Sequence, residues 1–370
     1  MDRMRSNFRN HGFTLLELLL VIGIIGVLAS MSLLVLADAT NSAKISRAKV
    51  QVRKINDLIM ERWESFETRT VPFKLNPALN PSIRDARNAA RIRLYALREL
   101  MRLELPDRYT DILPLNADPP AVNGTLQIPV PLDDGSAVQF QIGANSLNRF
   151  YRSQIQANFT PEFQGAECLY LILLSIQDEY GNGLEAFSDS EIGDVDEDGM
   201  KEILDPWGTP IDFLRWAPGY SETSEDLAAS WTPPPTIPSA AVRSPVQSGD
   251  PVNDPDPTDP LRADLRYQDT SVLTDDPYRL VPLIYSAGPD RSYDVWRRDE
   301  IDHGFHDFGS GESQLVNYTD PNLYKYPNDP YWGVGLLNDT TPSVGFRVDW
   351  DGDWIEGYYD NIDNHFGLED

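Results

Sequence analysis

The sequence predicts an α+β protein with a long N-terminal helix, several shorter helices and a small sheet. Three observations support this prediction. Residues 13–37 form an apolar run, residues 38–67 contain no glycine or proline, and later segments alternate between helical and extended patterns. With 370 residues, of which 41% are hydrophobic, the chain is long enough to form a sizeable core outside the apolar run.

The apolar run is long enough to span a membrane, since about 20 apolar residues suffice for a helix. Its one charged residue is Glu17, and a charge within a membrane helix costs about 2.5–3.5 kcal/mol on insertion scales. A cleaved secretory signal would have a shorter apolar core, and an ordinary signal anchor would give Glu17 no role. A third interpretation starts from the short basic leader, residues 1–12, which ends at Gly12 and is followed by the bulky Phe13.

The stretch G-F-T-L-L-E at residues 12–17, followed by the apolar run, resembles the N-terminus of the type IV pilin and pseudopilin superfamily. The resemblance implies cleavage after Gly12 by prepilin peptidase and methylation of the new N-terminus at Phe13. It also implies that Glu17 pairs with the N-terminal amine of a neighbouring subunit, because a buried charge is tolerated when it is paired. We therefore expect Glu17 to set the register of assembly. The alternative is an unpaired glutamate that reaches toward the membrane interface.

The charge distribution predicts the orientation of the chain and limits its partners. The basic leader is expected to stay cytoplasmic, so that the protein crosses the bacterial inner membrane once and places its head in the periplasm. The implied partners are other pseudopilin subunits, prepilin peptidase and the membrane proteins of a secretion platform. A net charge of −27 argues against nucleic acid, because phosphate binding requires a basic surface.

Helical patterns continue after the apolar run. Over residues 38–67, apolar side chains recur at helical spacing and predict a stripe that packs on the head: Ile45, Val52, Ile55, Ile59, Trp63 and Phe66. A second helix is predicted at about 82–103, where interspersed acidic residues favour an ordinary helix surface over a nucleic-acid site. The segment 165–180 is apolar on nearly all sides and too short to span a membrane, which predicts a buried core helix. Cys168, the only cysteine, is expected to be a buried, inert thiol.

Extended patterns and a proline-rich segment complete the predicted organisation. Candidate strands are LQIPVPL and AVQFQIG, within residues 109–145, and RLVPLIYSAG at 279–288. Proline is dense between residues 217 and 263, which predicts a mobile or extended insertion. The predicted division is a leader (1–12), a transmembrane helix (13–37), a first part of the head (38–216), the insertion (217–263) and a C-terminal part of the head (264–370).

The strongest motif of the head is DVDEDGMKEILD at residues 194–205. Alternating acidic residues followed by glycine are typical of EF-hand-like calcium loops, in which alternate residues point inward at the ion. The expected ligands are Asp194, Asp196, Asp198, the backbone carbonyl of Met200, Glu202 and Asp205. EF-hands usually close with glutamate, and Pro206 follows Asp205 at once, so we expect a calcium loop without flanking EF helices. The alternative is a solvated acidic turn.

A second, weaker calcium loop is predicted in DWDGDWIEGYYD at residues 349–360, with Asp349, Asp351, Asp353 and Asp360 as ligands. The stretches DPWGTPIDFLRW (205–216) and YSAGPD (285–290) resemble those of type II secretion major pseudopilins, and of their large planctomycete-type relatives in particular. Loops near the C-terminal sheet bind calcium in that family. This resemblance adds Asp290 as a candidate ligand, although the acidic pair that usually follows is represented only by Asp294.

The resemblance implies that the second half of the long helix packs on a small antiparallel sheet. It also implies a structural, non-enzymatic function as a pseudopilin subunit of a type II secretion-type periplasmic filament. Two alternatives stay open. One is a type IV pilus or DNA-uptake pilin, and the other is a calcium-dependent binding module or hydrolase on a prepilin-type anchor.

Overall fold

The computed structural model describes most of the helical N-terminal half of the chain and selected parts of the C-terminal half. The described residues are 15–71, 84–112, 128–134, 136–140, 142, 145–156, 159–160, 162–178, 181–221, 244, 246–268, 276–295, 330–331, 345 and 361–365. The chain divides into two compact units, Met1–Ser46 and Arg47–Asp370. Six residues of the predicted sites lie outside the described residues: Gly12, Phe13, Asp349, Asp351, Asp353 and Asp360.

The first helix, α1, comprises Leu15–Thr68 and has 54 residues. Its part in the first unit includes a membrane-length apolar stretch, Leu15–Leu33, whose side chains are exposed. A helix satisfies its own backbone hydrogen bonds, which is required in the hydrocarbon core of a bilayer. The hydroxyls of Ser30 and Ser32 likewise donate to the carbonyls of Val27 and Leu28, at 2.8 and 2.9 Å. The polar groups of this stretch are thus compatible with an apolar surrounding.

In the second unit, α1 contributes an apolar stripe to the core of the head. Val52, Ile55, Ile59 and Phe66 are fully buried, as their spacing predicts, and Trp63 is half-buried. Apolar burial of this kind stabilises the fold by about 1.5–3 kcal/mol for each large side chain. The stripe therefore anchors this part of α1 to the head.

Four shorter helices belong to the head. They are α2 (Ala86–Glu104), α3 (Tyr109–Ile112), α4 (Ser146–Gln154) and α5 (Gln164–Ser175). Asp85 caps α2 by accepting hydrogen bonds from the backbone of Arg87 and Asn88, which satisfies amides that have no partner inside the helix. The helix α5 is buried on almost all sides and includes the fully buried Cys168. The predicted core helix and buried thiol are thus confirmed, although the helix ends at Ser175 rather than at residue 180 and β-strand residues follow it.

Three of the five arginines of α2 lie inside the head rather than on an ordinary helix surface. Arg91, Arg98 and Arg102 are almost fully buried. Arg98 pairs with Asp264 at 2.8 Å, and Arg102 pairs with Glu99 at 2.7 Å. Each guanidinium is balanced by carboxylates, which is what makes a buried charge tolerable. These three arginines are structural ion-pair partners in the head.

Antiparallel pairs make up all the sheets between described residues. One hairpin consists of β1 (Ile128–Pro131) and β2 (Ala137–Phe140). Two very short pairs follow, β3 (Gln177–Asp178) with β4 (Gly181–Asn182), and β5 (Ile192–Gly193) with β6 (Glu202–Ile203). The largest sheet has the order β7–β8–β9, formed by Asp212–Leu214, Leu283–Ser286 and Ile362–Asp363. Its central strand β8 is buried throughout, as the apolar pattern at 279–288 predicts. The fold is α+β and pilin-like, with a long N-terminal helix and small antiparallel sheets.

Residues 246–263 differ from the prediction of a mobile insertion. They form a series of turns, and Gln247 is fully buried. The Gln247 side chain donates to the carbonyl of Ala217 at 2.7 Å and accepts from the amide of Val281 at 2.9 Å. The carbonyl of Ala263 accepts from Arg91 at 2.7 Å. These side-chain-to-backbone bonds replace a regular ladder, so a proline-rich sequence packs on the head here. Residues 222–243 lie outside the described residues.

Candidate functional site

Glu17 is the one residue of the predicted processing site that lies within the described residues. It is an acidic residue in the first turn of α1, and its side chain is exposed on the helix surface. The N-terminal end of a helix carries a partial positive charge, which favours a carboxylate at this position. Gly12 and Phe13 precede the described part of the helix.

The acidic loop lies between the two strands of the β5–β6 hairpin and is curled by its own carboxylates. Asp194 accepts a hydrogen bond from the amide of Gly199 at 3.1 Å, and Asp198 accepts one from the amide of Met200 at 2.7 Å. Gly199 has φ +96°, a conformation in the left-handed region that favours glycine. The local sequence thus gives a tight loop whose acidic residues converge.

Thr160, which precedes α5 in the chain, contacts this loop through two hydrogen bonds. Its amide donates to Asp198, and its hydroxyl donates to Asp196. Hydrogen bonds to carboxylates are stronger than those between neutral groups. They hold the segment before α5 against the acidic loop.

Two groups of carboxylates share Asp196. In the first group, Asp194, Asp196 and Asp198 each offer an oxygen within 4.8 Å of the other two. In the second group, Glu167, Asp196 and Glu202 likewise each offer an oxygen within 4.8 Å of the other two. Calcium binds oxygens at about 2.3–2.6 Å, so oxygens at these separations can reach one common ion.

Glu167 and Glu202 form the buried side of this cluster. Both side chains have 0% exposure; Glu167 lies on α5 and Glu202 on β6. One oxygen of Glu167 accepts from the Tyr109 hydroxyl, and one oxygen of Glu202 accepts from the amide of Val195 at 3.1 Å. The second oxygen, Oε1, of each glutamate has no hydrogen-bond partner among the described residues.

The same burial disfavours the ionised form of both glutamates. Burial, with further contributions from Asp196 and Asp194, raises the pKa of Glu202 to about 8. Burial, with a further contribution from Asp198, raises the pKa of Glu167 to about 9. Desolvation and like charges are the physical causes in both cases, and a bound cation would counteract both.

The structure places the remaining predicted ligands at the edge of the cluster or away from it. Met200 is buried beside the loop, and its Sδ accepts a hydrogen bond from the amide of Gln156 at 3.4 Å. Asp290 belongs to neither carboxylate group and accepts from the amide of Ser292 at 2.8 Å.

Asp205, predicted as the closing ligand, is also outside both groups. Its Oδ1 caps the following turn by accepting from the amides of Trp207 and Thr209, both at 2.9 Å. Its Oδ2 accepts from the hydroxyl of Ser286 on β8 at 2.7 Å. In this structure Asp205 caps the local D-x-W-G-x-P turn, whereas Glu167 of α5 lies within the carboxylate cluster.

Spacing within the motif could not reveal Glu167, because it precedes the loop by 27 positions in the sequence. A signal was nevertheless present. Glu167 is the one charged residue of α5, whose sequence is otherwise largely apolar. A carboxylate in an apolar helix is a signal that the sequence alone can show, and the same reasoning singles out Glu17 in the apolar run.

Comparison with known families finds a match for the N-terminal segment. Residues 7–33 match the family described as the prokaryotic N-terminal methylation motif. No curated protein and no solved structure matches the chain. The matched range includes Gly12, Phe13, Glu17 and the whole apolar stretch of α1, Leu15–Leu33. The motif supports a protein of the pilin or pseudopilin class.

For this class, the motif implies processing by prepilin peptidase and assembly with other pilin-like subunits. The described residues contain one helix long and apolar enough to cross a membrane. That helix fits a membrane-anchored protein of the prepilin type.

Proposed function

We propose that the protein is a structural pseudopilin subunit of a type II secretion-type periplasmic filament and that it catalyses no reaction itself. The observation that carries the proposal is the methylation motif at residues 7–33 at the start of a single 54-residue helix. The later part of that helix contributes the buried stripe of the head. A filament subunit needs this combination of a processable apolar segment and a folded head.

Glu17 gives the proposal its mechanism. Cleavage after Gly12 would leave a positive amine on Phe13, four residues before Glu17. A carboxylate is costly in a bilayer, and pairing with the amine of a neighbouring subunit removes part of that cost. This pair forms only when the neighbouring subunit has been cleaved, so cleavage favours transfer from the membrane into the filament. The exposed position of Glu17 on α1 supports such a contact.

One contact in the head favours a secretion pseudopilin over a type IV pilin. The two stretches that resemble major pseudopilins, 205–216 and 285–290, lie about 70 residues apart in the sequence. They meet through the Asp205–Ser286 hydrogen bond of 2.7 Å and through the pairing of β7 with β8. Their proximity supports one structural motif of the planctomycete-type secretion family. In this proposal the head lies in the periplasm, the leader is cytoplasmic, and the secretion-platform membrane proteins are partners.

The experiment is a comparison of Glu17→Leu with Glu64→Leu in the native host. Both changes remove a carboxylate from α1, but Glu64 lies outside the matched motif and is exposed on the head side of the helix. We expect the Glu17 variant to insert and to be cut but to form few cross-linked neighbours. The Glu64 variant should assemble like the parent chain. Normal assembly of the Glu17 variant would contradict the mechanism, and protease accessibility of the head on intact cells would favour a type IV pilus.

A further inference from the structure

We propose that the head holds a hard divalent cation of the calcium class between α5 and the β5–β6 loop, with Glu167 as a ligand beside Asp196 and Glu202. Glu167 extends the site beyond the loop motif to the core helix of the head. The proposal concerns the head alone, so it does not depend on prepilin processing or on the filament.

The first argument is the convergence of carboxylates from two separate elements. Glu167 comes from α5, whereas Asp196 and Glu202 come from the loop and from β6. Their oxygens lie within 4.8 Å of one another. Asp194, which is exposed, and Asp198, which is buried, extend the cluster and also lie within 4.8 Å of Asp196.

The second argument is the state of the two buried glutamates. Both are fully buried, and the Oε1 atom of each lacks a hydrogen-bond partner among the described residues. No ion pair between described residues involves any of the five carboxylates. Buried carboxylates are elsewhere paired or bound to metals. The acidic residues that pair with Arg98 and Arg102 in the same head follow this rule. The carboxylates of the cluster have no such ion pair among the described residues, which indicates that they bind a cation.

The ligand chemistry selects the kind of cation. The donors of both groups are carboxylate oxygens, without histidine or cysteine. Such a set suits calcium, magnesium or manganese rather than zinc or copper. Calcium takes six to eight oxygens in a flexible geometry, whereas magnesium requires a near-ideal octahedron and keeps several waters. The two carboxylate groups, which come from a curled loop, β6 and α5, fit calcium better.

Cation binding at this site would also stabilise the contact between the hairpin and α1 within the head. Glu191, just before β5, accepts hydrogen bonds from Gln51 at 2.9 Å and from Arg47 at 3.2 Å. A cation that fixes the β5–β6 loop to α5 restrains the same hairpin from its other end. We therefore expect calcium to raise the stability of the head and to protect this hairpin from proteolysis.

Calcium titration of the full-length chain in detergent, by isothermal titration calorimetry, tests the proposal. Glu167→Gln removes the proposed ligand charge with little change of shape. Glu197→Gln is the matched control, since Glu197 lies in the same loop, is exposed, and belongs to neither carboxylate group. We expect the Glu167 variant to lose at least about tenfold in calcium affinity, because even an outer-shell change typically costs 10–100-fold. The control should bind like the parent chain.

Thermal unfolding with and without calcium separates a ligand from a merely structural residue. The parent chain should gain melting temperature with calcium, and the Glu167 variant should lose that gain while it remains folded without the ion. If the Glu167 variant does not fold, Glu202→Gln provides the same comparison. The proposal is overturned if the parent chain does not bind calcium at millimolar concentration, if it binds magnesium instead, or if the Glu167 and Glu197 variants bind alike.

Discussion

Arg215 is expected to be the most costly single charge to remove from the head. Its side chain is fully buried and donates to the carbonyl of Leu105 and to Asp111, both at 2.8 Å. It also lies 3.3 Å from Asp107. Burial by itself would raise the pKa of Asp111, but Arg215, Arg108 and Arg102 together hold that pKa well below its usual range. The substitution Arg215→Met keeps much of the volume and leaves these acidic partners without their main counter-charge.

The expected loss of stability follows from burial rather than from distance. Removing one partner of a buried ion pair typically costs about 3–5 kcal/mol, because the remaining charge stays in a medium of low polarity. Arg279 offers a matched control, since it pairs with Asp254 at 2.9 Å while its side chain is 46% exposed. An exposed pair contributes about 0–1 kcal/mol. Removal of the arginine should therefore lower the free energy of unfolding several-fold more at Arg215 than at Arg279, although the two ion pairs have similar distances.

Urea unfolding of the full-length chain in detergent measures this difference. We expect Arg215→Met to lower the unfolding midpoint of the head strongly and Arg279→Met to change it little. The midpoint can be followed by tryptophan fluorescence, since Trp216 lies next to Arg215, with the guanidinium 4.3 Å from its ring. Equal destabilisation by the two variants would refute the argument that burial decides how much an ion pair stabilises the head.

Three further predictions follow from the head. Burial by itself would raise the pKa of Asp264, but the charges of Arg98 and Arg266 outweigh burial and lower that pKa from 3.8 to about 2. Its ion pair therefore stabilises the head above pH 4 and loses that contribution as the pH falls toward 2; acid unfolding should show a smaller difference between the parent and Arg98→Met chains at pH 2 than at pH 6. Gly208→Ala should lower the free energy of unfolding by about 1–2 kcal/mol, because Gly208 has φ +87°. The added methyl group meets no atom, so the backbone conformation alone accounts for the cost; an unchanged midpoint of urea unfolding would contradict this. Burial raises the pKa of the Cys168 thiol, so a maleimide should label it only after unfolding, and rapid labelling of the native chain would contradict its place in the core.

The sequence was sufficient for elements whose signal is local and periodic. The stripe that includes Val52, Ile55 and Ile59 lies on one face of a helix, and burial of that face follows from its spacing. The apolar α5 and the apolar strand β8 are predicted for the same reason. Glu17 is recognised because the apolar residues next to it in the sequence are also its neighbours in the helix.

Contacts between segments remote in the chain were not predictable. The arginines of α2 resemble a surface stripe until Asp264, more than 160 positions later, pairs with Arg98. Asp205 has the position of a calcium ligand in the motif, but Ser286 and the following turn occupy its carboxylate. Glu167 reaches the acidic loop only through the packing of α5 on β6. In each case the partner of a charged group is determined by tertiary packing rather than by local spacing.

Mass spectrometry of the mature N-terminus, from the native membrane fraction, tests the central claim most directly. The account predicts a chain that begins at Phe13 and carries one methyl group on its amine, because the methylation motif covers the Gly12–Phe13 junction. A chain that still begins at Met1, or that is cut at another position without methylation, would contradict prepilin processing and with it the role of a filament subunit.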